Sequence, residues 1–139
     1  MLINLDNQTD LSIPLDILEQ ITSNFTTREI ELIVTDAKNI QDINSAYRGK
    51  DSPTDVLSFP IHGEFMPLGS IVICDDFVYN KANLLGHTQE EEFTLLFIHG
   101  LLHLLGFDHE IDNGEMRDKE EEIIEDFSLP KSLIVRSLN

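Results

Sequence analysis

Apolar positions along this chain follow two periods, and the period changes from segment to segment. Residues 1–5 form a short apolar run and residues 29–34 alternate. Residues 55–61 and 70–74 are further runs rich in Val, Ile and Phe, so all four segments predict strands. Elsewhere the spacing is helical. Leu15, Leu18, Ile21 and Phe25 share one face behind Ser12, the expected N-cap. Asp36 precedes a second helix that aligns Ile40, Ile43 and Tyr47. Residues 77–85 predict a third, ending at Gly86. Thr88 and Glu91 have capping-box spacing ahead of a fourth, which is apolar nearly all round from Phe93 to Phe107 and therefore expected to be buried. Residues 115–127 predict a fifth, with Met116, Ile123, Ile124 and Phe127 on one side and Pro130 beyond it. Residues 62–69, punctuated by Gly and Pro, read as a loop. Strands early and helices late imply an α+β fold, one domain over residues 1–139 with a small sheet covered by helices.

Composition narrows the functional classes. At 41% hydrophobic residues the chain can fill a core. Its single cysteine, Cys74, cannot form an internal disulfide and lies in an apolar run, which suits a core thiol in a reducing compartment. The N-terminal residues show neither the basic region nor the apolar run of a signal peptide, and the apolar helix is too short for the roughly 20 residues of a membrane span. A cytoplasmic protein without a membrane partner is expected. Nine basic against 26 acidic residues give a net charge of −17, which argues against a general nucleic-acid binder, and no DNA partner is expected. The acidic runs 90–92 and 110–126 read as solvated helix faces, or as a field that attracts a basic protein partner.

The densest chemistry lies in His99-Gly-Leu-Leu-His103-Leu-Leu-Gly106-Phe-Asp-His109. His99 and His103 fall one helical turn apart on one face, and Gly106 suits the left-handed turn that would reverse the chain and return His109 to the same point. Three protein ligands with an open fourth position are a catalytic metal arrangement, and neutral imidazoles suit a divalent ion, Zn2+ above all, although nickel, copper and iron also accept them. Such an ion lowers the pKa of a bound water to about 7. The spacing matches H-E-x-x-H-x-x-G-x-x-H of metallopeptidases except that Gly100 stands where those enzymes carry their general-base glutamate, which disfavours a peptidase. A calcium loop starting at Asp108 fails, because Asn113 and Lys119 occupy the positions that need glycine and glutamate.

A second constellation runs Tyr47-Arg48-Gly49-Lys50-Asp51-Ser52-Pro53-Thr54-Asp55-Val56-Leu57-Ser58-Phe59-Pro60. Arg48 and Lys50 are two of the chain's nine basic residues, and an arginine can grip a phosphate through two parallel hydrogen bonds. The alternative is a structural Arg48 paired with Asp51 or Asp55, with Thr54 and Asp55 organising the turn. His62 and His87 read as ordinary surface or loop histidines.

Together, these motifs resemble the bacterial YbeY family, small metal-binding endoribonucleases of ribosomal RNA maturation. The likeness spans nearly the whole chain. It implies a four-stranded mixed sheet with about five helices, and a zinc site on a central buried helix and the turn after it, with ligands His99, His103 and His109. It also implies a catalytic, phosphate-orienting role for Arg48, which Lys50 would assist by binding substrate. The implied activity is metal-dependent cleavage of single-stranded RNA. In one respect the chain departs from the family, which commonly has aspartate where Ser70 stands. The rival readings are an assembly factor that binds a ribosomal or other basic protein, with a structural metal, and a metal-dependent hydrolase of another substrate.

Overall fold

A computed structural model describes residues 1–108 and 110–129. The described elements run β1 (Ile3–Asn7), α1 (Leu15–Ser23), β2 (Ile30–Thr35), α2 (Ala37–Arg48), β3 (Val56–Pro60), β4 (Gly69–Cys74), α3 (Asp75–Leu85), α4 (Gln89–Leu104) and α5 (Glu115–Asp126). The four strands form one sheet in the order β1-β2-β4-β3, parallel except for the antiparallel edge strand β3. This is the mixed four-stranded α+β architecture that the resemblance implied.

Period-two alternation assigns the two faces. In β4, Ile71 and Ile73 join the large core that also takes Leu32 and Val34 of β2 and Phe93, Phe97, Leu101 and Leu102 of α4. Val72 and Cys74 turn the other way and pack with Leu57 of β3 and Ile40 of α2. A buried parallel sheet needs cover on both faces, and α2 and α4 supply it from opposite sides. Each fully buried Phe or Leu of α4 contributes about 1.5–3 kcal/mol, so the apolar circumference of this helix makes it the centre of the molecule.

Several sequence expectations shift. Helix α1 starts at Leu15 behind Pro14, and Ser12 is not its cap. Proline tolerates a helix entry because its missing N–H would be unpaired there, and the preceding turn is held instead by Thr9 donating N–H and O–H to the Asn7 Oδ1. Strand β1 lies two residues later than expected. Asp36 does cap α2, accepting from the Asn39 N–H at 2.9 Å, and Tyr47 at its far end is 75% exposed. Pro130 lies outside the described residues.

Candidate metal centre

Helix α4 starts with both halves of the expected capping box. Thr88 Oγ1 accepts from the Glu91 N–H at 3.1 Å, and Glu91 Oε1 accepts from the Thr88 N–H at 2.8 Å. From that fixed start, His99 and His103 emerge on one face. Their Nε2 atoms are 3.1 Å apart and their rings lie 4.7 Å and 78° from one another. Two nitrogens bound to one tetrahedral zinc at about 2.0–2.1 Å would be about 3.3–3.4 Å apart. The pair therefore already converges to within a few tenths of an ångström of a shared-ion spacing, and the donor set fits a borderline divalent metal. The helix ends at Leu104, and Gly106 takes φ 101° while its N–H bonds to the His103 carbonyl at 3.1 Å. This turn has the expected left-handed conformation. His109, the third expected ligand, lies outside the described residues, and no metal-binding group of three His, Cys, Asp or Glu occurs among the described residues.

Two acids of the loop after the turn accept from its backbone. Asp108 Oδ1 accepts from the Glu110 N–H, and Asp112 accepts from the N–H groups of Gly114 and Met116. Helix α5 then brings in a residue from an acidic run expected to form a solvated face. Glu120 is 5% exposed, and its Oε1 lies 3.0 Å from Nδ1 of His99. The signal was present: Met116, Glu120, Ile123 and Ile124 are all buried at helical spacing, so Glu120 occupies a core register. The expectation of a solvated face fails at a second position. Glu92 is fully buried, with Oε2 3.6 Å from the His87 Nδ1; His87 lies in the loop between α3 and α4, as one of its two readings had it, but its side chain is only 5% exposed. His62 is exposed.

Gly100 packs against the sheet. A Cβ at this position would lie 2.9 Å from Ile71 Cγ2 and 3.2 Å from Ser58 Oγ, and the Ser58 hydroxyl donates to the Gly100 carbonyl at 3.1 Å. The glycine that replaces the peptidase glutamate is thus a close-packing residue between α4 and β4. Ser70 lies in β4 between Glu31 and Phe59.

Arg48 ends α2 and Lys50 follows Gly49; both are exposed. Asp51 Oδ1 accepts from Gln41 and Asp55 Oδ1 from the Val56 N–H, so neither described contact gives Arg48 the structural pairing considered above. No described contact joins Arg48 or Lys50 to the histidines. Next to Arg48, Tyr47 meets Phe59 of the edge strand edge-on at 5.6 Å. Cys74 is fully buried, and that burial pushes its thiol pKa up, as a core thiol requires. Among the described residues no helix is long and apolar enough to cross a membrane.

Fold and site together define a small α+β domain with a convergent histidine pair on its central helix. The chain belongs to the family described as Endoribonuclease YbeY, whose profile matches residues 4–128. It is 57% identical over 143 residues to the Endoribonuclease YbeY of Sulfurovum sp. (strain NBC37-1), covering 98% of this chain and 97% of that protein. It is 60% identical over 139 residues to that of Aliarcobacter butzleri (strain RM4018), covering 98% and 99%. The solution structure of TM1509 from Thermotoga maritima matches with a TM-score of 0.64 at 29% identity, over 90% of this chain and 88% of that one.

Proposed function

We propose that this protein is a metal-dependent endoribonuclease that cuts single-stranded RNA during ribosomal RNA processing in the cytoplasm. The convergence of His99 Nε2 and His103 Nε2 at 3.1 Å, in a chain whose relatives are named endoribonucleases, carries the reading. His99, His103 and His109 would hold one divalent ion, with Zn2+ the best match to neutral imidazoles. When bound, that ion supplies Lewis acidity toward a phosphodiester and lowers the pKa of water. Arg48 is exposed and without a described ion pair, so its guanidinium is available to orient a phosphate and to balance charge in the transition state. Lys50 would add a phosphate contact.

The net charge of −17 supports one further element, a basic protein partner, such as a ribosomal protein, that delivers the enzyme to RNA its own field repels. The same charge is what favours the assembly-factor reading. The test is cleavage of a single-stranded RNA by rigorously purified protein of known metal content, beside Arg48→Ala and His103→Ala prepared identically. Cleavage by wild type alone is expected, with Arg48→Ala retaining its metal. Equal cleavage by all three would mark a contaminant and leave the assembly-factor reading in the lead.

A further inference from the structure

A carboxylate on the packed side of α5 needs an explanation. Glu120 shares its buried stripe with Met116, Ile123 and Ile124, where a leucine would pack without the desolvation cost of a charge. Its Oε1 reaches across 21 residues of sequence to Nδ1 of His99 at 3.0 Å, in a contact whose side chains are 31% (His99) and 7% (Glu120) exposed. A carboxylate can only accept here, so the Nδ1 it faces carries the proton. In a neutral imidazole the lone pair then resides on Nε2, the atom that stands 3.1 Å from His103 Nε2.

We propose that Glu120 is a positioning residue for metal capture. It fixes the tautomer and ring orientation of His99 before any ion arrives, so that Nε2 is presented unprotonated toward the His103 side. Partners of this kind typically change metal affinity 10–100-fold. The inference rests on the metal reading above and extends it to a residue outside the histidine motif. It also accounts for a charge that burial alone would select against.

Two variants of the full chain separate positioning from packing. Glu120→Gln keeps size and one acceptor but loses the charge. Glu120→Leu fits the apolar stripe and removes the carboxylate that Nδ1 faces. Zn2+ affinity is measured by competition with a chromophoric chelator, thermal stability on the metal-free proteins, and the His99 tautomer by nitrogen-15 histidine NMR without metal. The expected result is a loss of Zn2+ affinity of about 10–100-fold for Glu120→Leu and a smaller loss for Glu120→Gln. The metal-free Leu variant should melt no lower than wild type, and its His99 should lose the fixed Nδ1-protonated signature. Zn2+ affinities of both variants within about twofold of a zinc-binding wild type would overturn the role of Glu120 alone. A wild type that takes up no Zn2+ would overturn the metal reading and this role with it. An affinity loss that merely tracks a lower melting temperature, with the tautomer unchanged, would make Glu120 a packing residue.

Discussion

Gly100→Ala tests the packing argument most directly, because two opposing terms of known size meet at one atom. Alanine in a helix interior is favoured over glycine by about 1 kcal/mol. Against this, the added methyl would lie 2.9 Å from Ile71 Cγ2, 3.2 Å from Ser58 Oγ and 3.3 Å from Ile71 Cδ1. The neighbours are a β-branched side chain of a central strand and a hydroxyl held to the helix carbonyl, so neither is a flexible tip that swings aside. Overpacking of this kind costs about 1–3 kcal/mol, and the net expectation is a destabilisation of about 1 kcal/mol, or about 3–5 °C in melting temperature for a chain of this length. In an Ile71→Ala background only the Ser58 Oγ contact remains, and the same substitution should become close to neutral, a coupling of about 1 kcal/mol. Denaturant unfolding of the four proteins in the cycle supplies the coupling energy. A rise of several degrees for Gly100→Ala alone, with no coupling to Ile71, would refute the close approach of α4 and β4 and with it the explanation for the missing glutamate.

Arg28 donates Nε to the Met66 carbonyl and Nη2 to the Ile61 and Pro67 carbonyls, all at 2.8 Å, and so ties down the β3–β4 loop. Arg28→Ala should speed proteolytic nicking within residues 61–68, and unchanged nicking would count against that tether. Asp75, at the start of α3, has an Oδ1 buried without a described hydrogen-bond partner, and desolvation, then the nearby charges of Asp76 and Asp36, raises its pKa. A raised carboxyl binds its proton more tightly folded than unfolded, so its contribution to stability is full below the unfolded value and is lost as pH rises through the folded one. Asp75→Asn should therefore raise the melting temperature at neutral pH, by an amount that shrinks on acidification below the ordinary carboxylate range. A gain independent of pH would show that charge is not its cause.

Periodicity located the sheet and the helices because alternation and helical spacing follow directly from burial. Ile71 and Ile73 against Val72 and Cys74 is that pattern resolved onto two faces. Element ends were less legible where tertiary context competed, as at Ser12, whose capping chemistry went unused because Pro14 and the Asn7–Thr9 turn set the helix start. The histidine pair was readable from spacing alone. Glu120 and Glu92 were not, because each sits in an acidic run whose local composition says solvent, while its helical register says core. The register is the better guide: an acid at a core position implies a partner from another element, and for Glu120 that partner is a residue of the motif itself.

The arrangement also explains why the carboxylate beside the histidine pair comes from α5 and not from α4. In the peptidase pattern the acid follows the first histidine on the same helix, but here that position is closed by the contact with Ile71. Glu120 instead meets Nδ1, the nitrogen on the opposite side of the ring from the Nε2 that faces His103. For an anionic phosphodiester the difference has a sign. Like charges about 4 Å apart repel by about 1 kcal/mol in water and about 4 kcal/mol at a protein surface, so an acid on the Nε2 side would oppose the substrate that the nuclease reading requires. Glu120, behind the imidazole, holds His99 through Nδ1 and keeps its charge on the far side. A peptidase, whose neutral substrate brings no such repulsion, is free to place its glutamate in front.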